Sequence, residues 1–190
     1  MKIFITGVAG FLGSHLADLM ISEGHTVAGN DNMIGGYTDN VPQNVEFYQV
    51  DCCDLENMTK AMEGCDIVYH TAATAYEGLS VFSPVLVTRN IFEASVTTIT
   101  AAIRNKVKRI VYCSSMARYG HHDKMPYKET FECRPQDPYG IAKKAGEDVL
   151  KNLCETHGVE YVIAVPHNIV GPRQKYCLLY TSPSPRDQLQ

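Results

Sequence analysis

A tyrosine and a lysine stand four residues apart in the run Tyr139-Gly140-Ile141-Ala142-Lys143. On a helix, this spacing places a phenol and an ammonium group on the same face. A phenol ordinarily titrates near pH 10, but adjacent positive charge favours its ionised form and lowers its pKa toward neutrality. The pair could therefore act as a general acid and base, although this spacing is more often a plain surface contact.

Two serines, Ser114 and Ser115, follow a short β-branched run that predicts a strand ending at Cys113. Ligands of open α/β sheets bind at the carboxyl ends of the strands. A hydroxyl at that edge could hold a substrate oxygen beside Tyr139. Because the three side-chain types occur in a compatible order, we expect Ser115, Tyr139 and Lys143 to form a catalytic group.

Three glycines lie between the first predicted strand and the first predicted helix, in the run Gly7-Val8-Ala9-Gly10-Phe11-Leu12-Gly13. Such a loop lets the backbone turn tightly and approach a pyrophosphate, which then meets the amides at the start of the helix. The spacing GxxGxxG differs from the GxGxxG of many dehydrogenases. Glycine turns are common, so the position directly after an N-terminal strand is what indicates nucleotide binding.

Acidic residues follow the second and third predicted strands. Asp31 comes eighteen residues after Gly13. A carboxylate there can accept hydrogen bonds from both adenosine ribose hydroxyls and would repel a 2′-phosphate, which favours NAD over NADP. The alternative is an ordinary Asp-Asn turn with Asn32. Asp51 is a candidate for contact with the adenine amino group, whereas Asp54 is expected to cap the next helix.

Strands and helices alternate along the chain, which is typical of an α/β protein with a doubly wound parallel sheet. Strands are predicted at Lys2–Thr6, Thr26–Asn30, Val45–Val50, Ile67–His70, Arg109–Cys113 and Tyr161–Val165. Helices are predicted at Phe11–Glu23, Leu55–Glu63, Pro84–Asn105 and Pro138–Thr156. The last helix has Asp137 as its N-cap and Gly158 just past its end. Its apolar residues predict one buried stripe, formed by Ile141, Ala142, Ala145, Val149, Leu150 and Leu153.

The composition is that of a soluble globular chain of 190 residues, with 45% hydrophobic residues and a net charge of -4. The absence of a Lys/Arg block gives no reason to expect nucleic acid or an anionic membrane as a partner. No apolar run is long enough to span a membrane. Because a strand begins at Lys2, we expect no signal peptide. The seven cysteines show no pairing pattern and are expected to be reduced thiols of a cytoplasmic protein.

The last residues differ from the rest of the chain. From Cys177 to Gln190 the sequence reads CLLYTSPSPRDQLQ, and neither a helical nor a strand period continues. One interpretation is a Ser/Pro-rich linker. The other is that residues 177–190 are a non-native tail, because CLLYTSPSPRD resembles the translation of a transposase-type sequencing adapter. We expect the native coding sequence to break off near Tyr176, and the codons of this stretch would decide between the two.

The motifs together resemble the extended short-chain dehydrogenases/reductases, also called the NAD-dependent epimerase/dehydratase family. The resemblance runs from Met1 to about Tyr176 and predicts a Rossmann-type NAD-binding domain over 1–176, with the C-terminal substrate domain largely absent. It rests on Thr6 to Gly13 (TGVAGFLG), Asp31-Asn32, Asp51 with Asp54, His70 to Ala73 (HTAA), Ser114-Ser115 with Tyr119-Gly120, Tyr139 to Lys143, and Asn168 to Arg173 (NIVGPR).

The resemblance implies a role for each of these residues. Tyr139 would be the acid/base, Lys143 would also contact the nicotinamide ribose, Ser115 would orient the substrate, and Asn168 would meet the substrate diphosphate. NAD would be held by Gly7, Gly10, Phe11, Leu12, Gly13, Asp31, Asn32, Asp51, Ala72, Ala73, Asn90, Tyr139 and Lys143. No metal is expected: the resemblance makes His70 a structural strand end, and His121-His122 beside Asp123 is interpreted as a solvated loop.

Within the family, the residues after Ser115 favour a nucleotide-sugar epimerase that resembles the UDP-glucose 4-epimerases. The 4,6-dehydratases usually have an Asp-Glu pair there, whereas this chain has Met116-Ala117, which cannot transfer protons. In the implied mechanism, Tyr139 takes a proton from the sugar 4-hydroxyl while hydride passes from C4 to NAD. The keto-sugar then rotates, and hydride returns to its other face.

Two alternatives remain open. One is another reaction of the same family, such as dehydration, reduction or decarboxylation. The other is a non-catalytic NAD-binding protein, against which the retained Tyr139 and Lys143 argue. Because relatives usually continue into a smaller domain that grips the nucleotide-sugar, we expect the 190-residue chain alone to bind dinucleotide poorly, to expose apolar surface and to lack turnover. Full-length relatives commonly form homodimers through the helices equivalent to 84–105 and 138–156.

Overall fold

Six parallel strands form one sheet in the computed structural model, which describes residues 1–123 and 125–174. The strands are β1 (Lys2–Thr6), β2 (Thr26–Asn30), β3 (Val45–Tyr48), β4 (Ile67–His70), β5 (Arg109–Cys113) and β6 (Glu160–Ala164). Their order is β3-β2-β1-β4-β5-β6, and every pair of neighbours is parallel. The connections therefore change direction between β1 and β4, and all carboxyl ends meet at one edge, where such sheets bind ligands.

Six α-helices connect or follow these strands within the described residues. They are α1 (Phe11–Ser22), α2 (Leu55–Ala61), α3 (Glu77–Phe82), α4 (Pro84–Thr88), α5 (Ala94–Arg104) and α6 (Pro138–His157). The predicted helix Pro84–Asn105 is interrupted by a π-helical stretch at Arg89–Glu93. The sequence did not indicate α3 or the 3₁₀ turns at Thr38–Asn40 and Met116–Tyr119.

Helices cover both faces of the sheet, so the predicted doubly wound α/β fold is confirmed. Alternate residues of a strand point to opposite faces. Accordingly, Phe4 joins a core with residues of α2, α5 and α6, whereas Ile3 and Ile5 join a second core with α1. On the α1 face, Val162 of β6 is 47% exposed. This valine is thus left partly uncovered at that edge of the sheet.

The caps of α6 agree with prediction, but its predicted apolar stripe is wrong at one position. Asp137 accepts a hydrogen bond from the Gly140 amide (2.8 Å), and Gly158 follows the last turn. Ile141 is 54% exposed. The buried residues of α6 are Tyr139, Gly140, Ala142, Lys143, Gly146, Glu147, Leu150 and Cys154. Two residues turn a helix by about 200°, so burying Tyr139 places Ile141 toward solvent.

Three further predictions concern the C-terminal tail, the cysteines and membrane-spanning segments. The tail predicted at 177–190 lies outside the described residues, as do Tyr176 and Cys177. Six cysteines within the described residues are free thiols. None of the helices in the described part of the chain is both long and apolar enough to cross a membrane.

Candidate active site

The glycine loop joins β1 to α1 at the carboxyl edge of the sheet. Gly7 has a φ of 71° and lies against Ala72, whose Cα would be 2.9 Å from a Cβ at Gly7. Gly10 is the N-cap of α1 and supplies no side-chain bond to its first amides. The amides of Phe11, Leu12 and Gly13 therefore start the helix without a side-chain cap. An anion can approach such a helix end closely, which is the arrangement expected for a pyrophosphate.

Asp31, at the end of β2, is 8% exposed and bonded to the glycine loop. Its Oδ2 accepts from the Ala9 amide (3.2 Å), and its Oδ1 accepts from the Met33 amide (2.8 Å). The bond from the Met33 amide forms the Asp-Asn turn that was the alternative to a ligand role. Asp31 therefore forms this turn and also contacts the glycine loop. Burial raises the pKa of Asp31, and the two amide bonds oppose this rise.

The following segment also holds the loop. Both the Tyr37 amide (3.1 Å) and Asn40 Nδ2 (3.2 Å) donate to the Ala9 carbonyl. A Cβ at Gly36 would lie 2.9 Å from Asp31 Oδ2, so this segment passes close to the carboxylate. Sequence reasoning missed these supports, which only the folded connection between β2 and β3 brings together.

Asp51 follows β3 and lies beside Asn32, as required if both face one ligand. Its Oδ2 accepts from Asn32 Nδ2 (3.3 Å) and from Arg89 Nη1 (3.4 Å), and its Oδ1 accepts from the Cys53 amide (2.8 Å). Partial burial disfavours the charged carboxylate, but these bonds and the charge of Arg89 lower the pKa of Asp51. Asp54 caps α2 through the Asn57 amide (3.1 Å), which confirms its predicted role.

A buried hydrogen-bond chain fixes the segment that carries Ala72 and Ala73. The Thr6 hydroxyl accepts from the amides of Thr71 (3.1 Å) and Ala72 (3.0 Å). The Thr6 hydroxyl therefore donates its own proton to His70 Nδ1 (2.8 Å). Because Nδ1 accepts, the neutral ring of His70 carries its proton on Nε2 and donates it to the Ser95 hydroxyl (3.0 Å). Burial lowers the pKa of His70 to about 3. A neutral, fully bonded ring at a strand end confirms the structural role.

Ser115 starts the 3₁₀ turn after β5. Its Oγ accepts from the Ala117 amide (3.2 Å) and lies close enough to the Tyr139 phenol to lower its pKa. The segment after β6 runs alongside, because the Met116 amide donates to the Pro166 carbonyl (3.2 Å). Asn168 lies two residues beyond Pro166 and is exposed, with its own amide bonded to His167 Nδ1 (2.7 Å).

Tyr139 and Lys143 lie on the buried face of α6, next to the carboxyl end of β5. Tyr139 is 7% exposed and packs with Val87 and Ile91, and Ala73 lies against this cluster. Lys143 is 3% exposed, and its Nζ donates to the Cys113 carbonyl (2.7 Å). The structure therefore brings Ser115, Tyr139, Lys143 and Ala73 together at one site.

Lys143 alone does not lower the pKa of the Tyr139 phenol. Burial raises the pKa of Tyr139 to about 12, and the Ser115 hydroxyl only partly opposes this rise. Burial also lowers the pKa of Lys143, against the raising effects of Cys113 and Glu147. Loss of hydration disfavours both charged forms. Without further positive charge beside it, Tyr139 is thus a protonated phenol at neutral pH.

A buried ion pair, Arg118 with Glu147, lies behind this group and was missed from the sequence. Arg118 Nη1 donates to both carboxylate oxygens of Glu147 (2.9 and 2.8 Å), which also accepts from the Ser114 hydroxyl. The signal was present, because Glu147 follows Lys143 by four residues and therefore shares its face. A charge on a buried helix face indicates a partner.

Two other predicted features form no hydrogen bond or ion pair with Tyr139 or Lys143 among the described residues but can be placed in the fold. Asn90, in the π-helical stretch, donates to Thr74 Oγ1 (3.0 Å), just beyond Ala73. His121 and Asp123 are exposed, as expected of a solvated loop, but His122 is partly buried against Tyr127 and Phe131. No group of three or more potential metal ligands was found among the described residues.

Comparisons with known proteins agree with this geometry. The model of the NAD dependent epimerase/dehydratase family matches residues 3–181. A probable UDP-arabinose 4-epimerase 3 of Arabidopsis thaliana is 32% identical over 89% of this chain and 44% of its own length. The UDP-glucose 4-epimerase of Thermotoga maritima, solved with UDP-glucose, is 33% identical with a TM-score of 0.89, covering 92% of this chain and 58% of that one. The Thermus thermophilus UDP-glucose 4-epimerase, solved with NAD, is 32% identical with a TM-score of 0.88, over 92% and 58%. The chain thus spans about half the length of such relatives.

Proposed function

The chain belongs to the NAD-dependent epimerase/dehydratase family, and we propose that it carries the cofactor-binding and proton-transfer residues of a UDP-sugar 4-epimerase. The observation that carries the proposal is Ser115, Tyr139 and Lys143 at the carboxyl edge of the sheet, beside a glycine loop. Support also comes from relatives named as UDP-arabinose and UDP-glucose 4-epimerases, at 30% identity or more.

The residues at this edge fit NAD. The glycine loop leaves the start of α1 open to a pyrophosphate, and Asp31 lies where an adenosine ribose would meet it. Asn32 and Asp51 are hydrogen-bonded to each other after β2 and β3, and Ala72 packs against Gly7 of the loop, with Ala73 next to it. Asn90 is bonded to Thr74, the residue after Ala73. These residues would hold NAD, which would supply a reversible acceptor for the hydride on C4 of the sugar.

The chain's own residues would handle the proton and the position of the sugar. Tyr139 would hold the proton that leaves the sugar 4-hydroxyl and give it back at the end. Ser115 would hydrogen-bond the same oxygen, and Lys143 would orient the nicotinamide ribose. Asn168, exposed on the segment after β6, would meet the substrate diphosphate.

Met116 and Ala117 favour epimerisation over dehydration within the family. Neither side chain can donate or accept a proton, whereas elimination of water from a sugar needs both a base and an acid. The two residues lie in the 3₁₀ turn that starts at Ser115, directly beside the proposed sugar position. Proton transfer at that position is thus left to Tyr139.

The proposal is tested with the protein expressed from the uninterrupted gene that contains this sequence. We expect it to interconvert UDP-glucose and UDP-galactose, or the corresponding UDP-arabinose and UDP-xylose, with catalytic NAD and no net NADH. NADH accumulation without an epimer would refute epimerase action in favour of a net oxidation. NAD binding without conversion of any sugar nucleotide would support a non-catalytic protein. The 190-residue chain, as a control, is expected to show no turnover.

Replacing Asp31 by asparagine is expected to weaken NAD binding about tenfold and to reduce the preference for NAD over NADP. A carboxylate bonded to ribose hydroxyls contributes more than a neutral amide, and its charge repels a 2′-phosphate. Titration calorimetry with both dinucleotides measures the two affinities. Asp39→Asn, an exposed change in the same connection, is the matched control. Equal NAD affinity in D31N and D39N would remove Asp31 from the site.

Two further proposals concern the whole protein. We propose a cytoplasmic homodimer that associates through the helical region 84–105 and α6. Support comes from exposed apolar side chains in this region, namely Val85, Leu86 and Ile141, and the exposed Leu79, Val81 and Phe82 of α3 precede it in the chain. Apolar patches of this kind are typical of interfaces, and light scattering measures the resulting mass. The free thiols support the reducing compartment.

A further inference from the structure

A buried ion pair, Arg118 with Glu147, joins the turn that follows Ser115 to the helix that carries Tyr139. The Glu147 side chain is 0% exposed and that of Arg118 is 12% exposed. Desolvating two charges offsets much of the attraction between them, so a buried pair contributes little net stability compared with apolar packing. Stability alone is therefore a poor reason for charges at this place.

The pair connects the two elements that carry the catalytic side chains. Glu147 lies on the buried face of α6, four residues after Lys143 and eight after Tyr139. Arg118 belongs to the 3₁₀ turn Met116–Tyr119, whose N-cap is Ser115. The bonds from Arg118 Nη1 to the Glu147 carboxylate thus run between the turn of Ser115 and the helix of Tyr139.

Glu147 and Arg118 each make contacts in addition to the ion pair between them. The Ser114 hydroxyl, next to Ser115, donates to Glu147. Arg118 Nε lies 3.2 Å from Cys133 Sγ, and the guanidinium carbon is 4.8 Å from the centre of the Tyr119 ring. The guanidinium is consequently fixed in direction, and the turn cannot rotate without breaking a buried charge pair.

We infer that Arg118 and Glu147 are positioning residues that hold the Ser115 hydroxyl against Tyr139. This inference rests on the proposed epimerase function for its catalytic meaning, but the geometry it assigns to Ser115 can be tested by itself. Ser115 and Tyr139 remain the catalytic residues, and the ion pair acts through the position of Ser115. Glu147 also raises the pKa of Lys143, and the opposite charge of Arg118 beside it offsets part of that effect.

The catalytic test combines the double variant R118M/E147Q with S115A in the protein from the uninterrupted gene. R118M/E147Q removes both charges together, so neither remains buried alone, and the amide oxygen introduced by E147Q can still accept from Ser114. We expect R118M/E147Q to lower kcat about tenfold in the presence of Ser115, with KM changed less than twofold. In the S115A background we expect no further loss beyond about twofold, because residues acting through one partner are not additive. An equal loss in both backgrounds, or no loss in either, overturns the inference.

The second test does not depend on activity and uses the 190-residue chain. The Ala117 amide donates to Ser115 Oγ, so its hydrogen exchange reports where Ser115 lies. We expect exchange at Ala117 to rise at least tenfold in R118M/E147Q and to stay unchanged in D148N, an exposed acid-to-amide control on the same helix. Unchanged exchange at Ala117 in R118M/E147Q overturns the inference.

Faster exchange at Ala117 in R118M/E147Q, together with no epimerase activity of the protein from the uninterrupted gene, supports the positioning role and rejects the proposed function. If R118M/E147Q does not fold, R118K, which keeps the charge but not the geometry, takes its place in both tests.

Discussion

Replacing Tyr139 by phenylalanine is expected to lower kcat for epimerisation at least a thousandfold while NAD affinity changes less than about threefold. The variant loses only the phenol oxygen, and general acid–base catalysis commonly contributes a hundredfold to ten-thousandfold. The ring is 7% exposed and packs with Val87 and Ile91, so phenylalanine fills the same space. Coupled detection of the product sugar nucleotide measures kcat, and fluorescence or calorimetry measures NAD binding.

The control for Y139F is a tyrosine that carries the same chemical change away from the site. Tyr161, on β6, donates to Glu155 at the surface (3.0 Å), and Y161F is expected to keep wild-type activity. Equal melting temperatures for Y139F and wild type would show that the loss is chemical. Activity of Y139F within tenfold of wild type would instead remove Tyr139 from the proton-transfer role.

The strands were predictable because short apolar runs alternate along the chain with segments of helical periodicity. This alternation is compatible with few folds other than a parallel sheet with connecting helices. Each of the six predicted strands lies within two residues of an observed one at both ends. Helix ends were equally clear where caps are encoded, as at Asp137 and Gly158. The π-helical stretch Arg89–Glu93 was not predictable, because a one-residue shift of backbone bonding leaves no mark in an apolar period.

The sequence predicted which residues meet at the site, but not how deeply they are buried or which charges lie beside them. Residue order and strand ends brought Ser115, Tyr139 and Lys143 together, since parallel strands share one carboxyl edge. The raised pKa of Tyr139 in the protein without NAD could not be predicted, because how completely a phenol loses water depends on packing by Val87 and Ile91 from another part of the chain. The position of Glu147, four residues after Lys143, indicated a buried charge, but its partner Arg118 comes from a 3₁₀ turn that sequence periodicity cannot reveal.

Burial of Tyr139 also refines how it would act. A phenol with a pKa near 12 is a proton donor in its resting state at neutral pH. It becomes an effective base only when positive charge is placed beside it, which the ammonium of Lys143 does not achieve while bonded to Cys113. We therefore expect proton removal from the sugar to depend on bound NAD, whose nicotinamide ring is positive.

Replacing Gly13 by alanine is expected to lower the melting temperature by about 5–10 °C and NAD affinity at least tenfold. A Cβ at Gly13 would lie 2.2 Å from the Gly7 carbonyl oxygen, 2.8 Å from the Gly7 carbonyl carbon and 2.9 Å from Val8 Cα. All three are backbone atoms, so no side chain can turn away and α1 must move from the loop. Overpacking of this kind costs about 1–3 kcal/mol, which corresponds to several degrees in a chain of this length.

The effect of G13A on binding should exceed its effect on stability, because α1 carries the proposed pyrophosphate site at its first turn. A shift of the helix away from Gly7 moves those amides and the Ala9 amide that Asp31 accepts from. Gly78→Ala is the matched control, since a Cβ there meets nothing within 4 Å. In the first turn of α3, where glycine still costs backbone entropy, the change to alanine should raise stability slightly, by less than about 1 kcal/mol, and leave NAD affinity unchanged. Differential scanning fluorimetry of the protein from the uninterrupted gene, with and without NAD, separates the two effects. Wild-type NAD stabilisation of G13A would show that the dinucleotide does not use the start of α1.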